Sequence, residues 1–561
     1  MRRRTFFQQA ATGVASLGSL AVQPAPAQSG RPPARPKMMF YHDGRHPLIY
    51  MYEPPMQKEE YEAAVDELVG TPIEAIMFCL GDGRTVLHDT KVGELWGHNV
   101  SKWPHPIFRR AHQNARMLID AGHDPLRVVC ERAHQKGLLL YPTLLVQMGS
   151  GERGTDVRGS DFRFNNKHLE IGARGGIDPK FPKGALRNLD FKHAEARRER
   201  FALIQETLTR YPVDGFELQL NYSPYYFRPD EIDEGRKIMT AWVGEVYRAV
   251  KSSGPARELV IRIPASLEGC YSVGLDVREW IRQGIADAVV GQGFSGPELV
   301  DMTIDFRPLV QAAKGSKTRV YGAIQSHVDS DRIGEATIEM VRATACNYHA
   351  QGVDGLYLAH WFNNWPYEAS FYEKLREMPH PDVMAPKDKF YFVPTVTERY
   401  SQITLEPGLT MQLPAELKVN EPVTVEWPVT DDLPRWAKTG RVHEVLLRVR
   451  ITNTSELDQL AFRFNGRTLP QETLRKINET YKMHSPRYRV FGYWFVWRLP
   501  REHWPLQGNN RVEVTLTRRD PALTPAIALR DVEMEIKYLM GKNYHRGQDP
   551  DLGPSKGGSP G

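Results

Sequence analysis

The chain has 561 residues, 41% of them apolar, and a formal charge of +5 spread over 73 basic and 68 acidic side chains. That length and apolar content predict two folded units, with only the two ends carrying the composition of disorder. Without a dense basic block beyond the first residues, binding to nucleic acid by charge is not expected, and no later stretch is long and uncharged enough to serve as a membrane anchor.

At the N-terminus, Arg2-Arg3-Arg4-Thr5-Phe6-Phe7 resembles a twin-arginine export motif. A weakly apolar run from Ala10 to Val22 and the small-residue site Ala25-Pro26-Ala27 follow in the order of a cleavable signal peptide over 1–27, which predicts a periplasmic or secreted protein. Residues 28–37 then read as a linker. The twin-arginine route exports folded proteins, so Cys79, Cys130, Cys270 and Cys346 need not pair; without a CxxC spacing they read as buried free thiols, and no metal or other cofactor is expected.

From residue 38 apolar strand runs alternate with amphipathic helical runs. The strands are predicted at Met38–Asp43, Glu74–Leu80, Leu138–Leu145, Val213–Leu220, Leu259–Pro264, Ala286–Val290, Thr318–Ile324 and Asp354–Ala359. Helices are predicted between them, among others at Glu59–Leu68, His123–Lys136, His193–Arg210, Glu231–Ser252, Val277–Gln283 and Arg332–Ala350. Eight such units fit an α/β fold, a (β/α)8 TIM barrel over 38–380. Gly137, Gly284 and Gly352 stop helices just before strands and mark the barrel bottom, where Asp214 and Asp354 read as structural.

Chemistry in such a barrel sits where the strands end. The first strand ends in Tyr41-His42-Asp43-Gly44-Arg45, the second in Gly81-Asp82-Gly83-Arg84, the seventh in Gln325-Ser326-His327 and the eighth in His360-Trp361-Phe362-Asn363-Asn364-Trp365. On the fourth, Phe216, Leu218 and Leu220 face the helix layer while Glu217, Gln219 and Asn221 face inward, followed by the aromatic loop opened by Tyr222. Two readings stay open for those inward groups: a hydrogen-bonded polar layer in the core, or an active site. The 146–192 connection is long enough to be a functional insertion.

The runs Ser160-Asp161-Phe162-Arg163-Phe164-Asn165-Asn166-Lys167-His168, Leu189-Asp190-Phe191-Lys192-His193 and Val213-Asp214-Gly215-Phe216-Glu217-Leu218 resemble the glycoside hydrolase family 10-like proteins, exported bacterial barrels. The resemblance implies hydrolysis of glycosidic bonds in a polysaccharide or oligosaccharide by acid/base carboxylates. It covers most of the barrel. Relatives tend to carry an acidic residue where this chain has Gln219, and related barrel glycosidases a glutamate where it has Gln325, which leaves Glu217 as the inward carboxylate of strand four. Glu217 is thus the expected acid, with Asp82 or Asp43 as second carboxylate, although Asp82 could equally be a turn former. Arg163, Asn165, Asn166, His168, Gln219, Asn221, Tyr222, Gln325, His42, His327 and His360 are the expected sugar contacts, and Trp361 the stacking ring. The rival readings are a noncatalytic glycan-binding protein on a degenerate barrel, and a metal hydrolase using His42, Asp43, His327 and His360, which are suitable ligands without a spacing motif.

Beyond a Pro-rich linker after Met378, short alternating runs predict a β-sandwich over 390–540, with strands at Val442–Ile451, Leu460–Phe464, Arg511–Leu516 and Ile527–Tyr538. Phe464-Asn465-Gly466 and Gly508-Asn509-Asn510 read as turns, and the run 491–497 should bury half of its rings and present the rest to a ligand or the barrel. Residues 541–561 read as a disordered tail. Nothing in the sequence decides the oligomeric state.

Overall fold

A computed structural model describes residues 35–148, 151–293, 299–328, 334–395, 407–478 and 492–540. The export motif, the Ala-Pro-Ala site and the tail lie outside the described residues. Within them, eight apolar runs form parallel strands: β1 (Met38–His42), β2 (Ala75–Asp82), β3 (Leu139–Leu145), β4 (Gly215–Gln219), β5 (Glu258–Pro264), β6 (Ala288–Gln292), β7 (Arg319–Ile324) and β8 (Gly355–Leu358). Neighbours in sequence pair in order, and β1 pairs with both β2 and β8, closing the barrel. Period-two alternation sorts the side chains. Phe40, Ile76, Leu140, Phe216, Leu218 and Ile261 pack into the helix layer, while Met39, Met77, Tyr141, Val260, Tyr321 and Tyr357 fill the interior.

The barrel bottom is built as the glycines and aspartates indicated. Gly137, Gly284 and Gly352 adopt φ of 75°, 65° and 87°, the left-handed region that ends a helix. Asp214 accepts the Leu140 N–H at 2.7 Å and Asp354 the Val320 N–H at 2.8 Å, and Asp287 does the same for Leu259 at 2.7 Å. Each carboxylate thus satisfies a strand-start donor one strand back.

Several helices differ from expectation. The predicted Glu59–Leu68 helix is two pieces, Lys58–Tyr61 and Ala63–Asp66, because the Val65 N–H bonds Glu62 C=O, three residues back. The last predicted helix starts later, at Ile338, where the Thr337 hydroxyl caps it; residues 332 and 333 lie outside the described residues. A helix at Pro106–Asp120, started by His105 and by proline at its first position, was not among those predicted. The 146–192 insertion carries the short helix Asp161–Asn165 and two 3-10 turns.

The C-terminal part is a β-sandwich of two sheets. Its strands are β9 (Lys389–Phe392), β10 (Pro422–Val429), β11 (Val442–Thr452), β12 (Gln459–Phe464), β13 (Leu474–Asn478), β14 (Gly492–Arg498), β15 (Gly508–Arg518) and β16 (Ala528–Tyr538). One sheet runs β9-β16-β11-β14-β13 and the other β10-β15-β12, with antiparallel pairing throughout these paths. Asn465 and Gly466 take φ of 49° and 81°, the hairpin geometry expected there. Gly508-Asn509-Asn510, by contrast, opens β15 instead of forming a turn, since it pairs with 427–429 of β10. The aromatic run also departs from half-burial: Trp494, Phe495, Val496 and Trp497 are all buried, because β14 is an inner strand.

Candidate active site

Where β1, β2, β3 and β8 end, the following loops enclose a cleft of about 460 Å³. Asp43, Arg45 and His46 come from the segment after β1, Trp96 and Phe108 from beyond β2, Arg158 from the long insertion, and Phe362 and Trp365 from beyond β8. Asp43 accepts the His46 N–H at 2.9 Å and meets Arg45 Nε at 3.6 Å. Asp82 sits just behind the lining with its side chain 1% exposed. Its Oδ2 accepts the Trp96 indole N–H at 2.8 Å and lies 3.4 Å from Arg45 Nη1 and 3.7 Å from Arg158 Nε. The carboxylate is therefore not spent on its own turn. That turn is set by glycine: Gly81 has φ of 145°, and a Cβ there would stand 2.2 Å from Thr85 C=O.

Arg45 joins the two aspartates. Burial opposes its charge, but Asp82 and Asp43 more than offset this and hold the guanidinium above its usual range. His46 is buried beside Trp365, ring to ring at 4.7 Å, and burial holds it below its ordinary pKa although Asp43 pulls the other way. Its Nε2 has no protein partner among the described residues.

Glu217 lies inside the barrel and is wholly buried, and it is not part of the cleft lining. Its Oε1 is 3.1 Å from Arg262 Nε on β5, an approach not aligned as a hydrogen bond, while Oε2 accepts from Tyr357 at 3.0 Å and from the Thr143 hydroxyl. The inward neighbours on its own strand are the neutral amides Gln219 and Asn221, as expected, but the next strand supplies a cation that strand reading did not anticipate. Arg262 is buried against the faces of Tyr41 (4.2 Å) and Tyr357 (4.9 Å); desolvation opposes its charge, and Glu217 restores it.

The remaining predicted positions fall into three groups. The first is turned away from the cleft. His42 stacks on Phe78 at 5.2 Å in the helix layer, with burial lowering its pKa to about 4, and the Trp361 ring is buried against Phe371 with its N–H on Ile324 C=O at 2.9 Å. Trp361 thus has no free face for a sugar, contrary to expectation. The chain reverses at His360, a non-glycine residue with φ of 55°, which breaks the period-two projection. The second group belongs to the insertion. Arg163 is buried and bonds Met148 C=O at 2.6 Å and Arg187 C=O, and burial lowers it to about 10; Asn166 bonds Phe162 C=O at 2.8 Å; Asn165 and His168 are exposed. These side chains order their own loop and do not line the cleft. The third group lies at the upper barrel rim. Gln219, Asn221, Gln325 and His360 are buried, Tyr222 and His327 half-buried, and both amide atoms of Asn221 lack a partner among the described residues. Burial pushes His360 down to about 3.

The metal reading is not supported by the geometry. His42 faces the helix layer, and among the described residues no group of three His, Cys, Asp or Glu is placed to hold an ion. All four cysteines are buried thiols outside any disulfide. Among the cleft residues not singled out from sequence are Arg45, His46, Trp96, Phe108, Arg158, Phe362 and Trp365; of these, Arg45, Phe362 and Trp365 stood within strand-end segments already noted.

No protein-family model matches the chain, and no curated protein matches it. Among solved structures, the chain is similar to the α-L-fucosidase isoenzyme 2 of Paenibacillus thiaminolyticus, with 12% identity and a TM-score of 0.41 over 63% of this chain and 50% of that one, so it spans half of that relative's length. It is also similar to the PgaB (BpsB) glycoside hydrolase domain of Bordetella bronchiseptica, with 12% identity and a TM-score of 0.39 over 61% of this chain and 98% of that one. The α-L-fucosidase of Vibrio sp. strain EJY3 has 9% identity and a TM-score of 0.34 over 89% of this chain and 96% of that one. These likenesses decide neither reaction nor substrate, which the chain's own residues must carry.

Proposed function

We propose that the protein is an exported glycoside hydrolase whose site is the cleft at the mouth of the barrel. The observation that carries this reading is the convergence of Asp43 and Asp82 on Arg45 beside the rings of Trp96 and Trp365. Glycosidic cleavage needs one carboxyl group to protonate the leaving oxygen and a second to attack carbon or activate water. Asp43 lines the cleft and serves as one of the two carboxyl groups. Asp82, fixed by an indole and two guanidiniums, serves as the second carboxylate. Of the two rings, the half-buried Trp365 suits the apolar face of a sugar, while the buried Trp96 holds Asp82 through its indole N–H. Glu217, the acid expected from sequence, becomes the interior counter-ion of Arg262, and the sandwich contributes no catalytic carboxylate. Export by the twin-arginine route with cleavage after Ala27 belongs to the same proposal.

Reducing-sugar release from a polysaccharide panel by the purified chain tests it. Asp43→Asn and Asp82→Asn should each bind the cleaved substrate and lose roughly a hundredfold or more in turnover, the contribution of acid/base catalysis. If the wild-type chain binds glycans and cleaves none, the barrel is a glycan-binding protein. Turnover unaffected in both variants would place the chemistry elsewhere.

A further inference from the structure

The two guanidiniums of the cleft are used differently. Arg45 is consumed by the protein, with Nε 3.6 Å from Asp43 and Nη1 3.4 Å from Asp82. Arg158 is anchored through its backbone: its N–H bonds Asp156 Oδ1 at 2.9 Å, and its C=O accepts the Thr85 hydroxyl at 2.5 Å. Its side chain lines the cleft, 38% exposed, and among the described residues it meets a protein charge at Asp82, 3.7 Å from Nε. Among the described residues no acceptor takes a hydrogen bond from its guanidinium. The protein thus holds a donor fork on an anchored stretch of backbone at the cleft edge, in a lining that includes Trp96 and Trp365.

A planar fork with donors and no acceptor matches two oxygens of one anion, in a bidentate pair that a sugar hydroxyl cannot reproduce. A neutral sugar covering Arg158 would strip water from its Nη groups and leave Asp82, 3.7 Å from Nε, as the counter-charge at hand. We propose that Arg158 receives an anionic substituent of the substrate, a carboxylate or sulfate, so that the cleft selects acidic over neutral oligosaccharides. This rests on the reading that the cleft binds carbohydrate, and it names the class of carbohydrate.

The test is calorimetric binding of the full chain to oligosaccharides of alginate, pectate and carrageenan, each beside its carboxyl-reduced or desulfated counterpart. At least one acidic series should bind the wild type about tenfold or more tightly than its neutral counterpart, the scale of one charge-assisted pair. Arg158→Gln should erase that margin, and Arg158→Lys, with charge but no fork, should keep part of it. The series that holds the margin distinguishes carboxylate from sulfate. Equal binding of acidic and neutral partners, binding by none of these probes, or a margin that survives Arg158→Gln overturns the proposal. Acidic ligands bound through Arg158 but never cleaved would refute the hydrolase alone, whereas cleavage of neutral glycans without a margin would refute the acidic preference alone.

Discussion

Replacing Glu217 with glutamine separates the two roles this residue could have. Glu217 and Arg262 are both fully buried, their charged atoms 3.1 Å apart, in an interior that also holds Tyr41, Tyr357, Thr143 and Gln292. Removing one member of a buried ion pair costs about 3–5 kcal/mol, because the other charge is left uncompensated. Glutamine keeps an oxygen for Tyr357 and Thr143, so Glu217→Gln should fall near the low end of that range and Glu217→Ala, which adds a cavity, near the high end. In a barrel of this size such a loss should lower the melting temperature by about 5 °C or more. Melting is followed by tryptophan fluorescence, and turnover is measured well below the transition. The double variant Glu217→Gln/Arg262→Met removes both charges and should recover most of the stability. A Glu217→Gln protein that melts like wild type but loses a hundredfold in turnover would refute this account and make Glu217 the acid.

Acid should destabilise the fold through buried neutral histidines. Burial lowers His42 and His88 to about 4 and His360 to about 3, against an unfolded value of about 6.5. Their contribution is complete above pH 6.5 and is lost as pH falls toward 4, because the unfolded chain then binds the extra protons, at up to about 1.4 kcal/mol per pH unit for each group. His134, raised chiefly by its hydrogen bond to Asp214, acts in the opposite direction from the surface. Melting temperature measured from pH 7 to 4 should fall, and His88→Gln should make the fall shallower; a flat profile would contradict the assignment. Trp361→Ala should cost about 3–5 kcal/mol by emptying a buried indole site, while substrate KM on the folded variant stays near wild type. A selective rise in KM at unchanged stability would return Trp361 to the cleft.

The sequence by itself determined the features that depend on neighbours along the chain. Alternating strands and helices, glycines at helix ends, and aspartates at strand starts all act within a turn or one pairing step, so the eight barrel strands and the sandwich were legible, as was the inward face of Glu217. It also placed Asp43 and Asp82 at strand ends. What lies opposite an inward side chain was decided only by closure of the barrel. The β4–β5 register sets Gln219 beside Arg262, which brings that arginine within reach of Glu217 and pairs the two charges. The joining of Asp43 to Asp82 through Arg45, and the delivery of Arg158 from an insertion far along the chain, are likewise products of tertiary contact. Trp361 shows the same limit at short range: one left-handed residue, His360, reverses the alternation and sends the ring into the helix layer, and nothing in the residue type at 360 announced it.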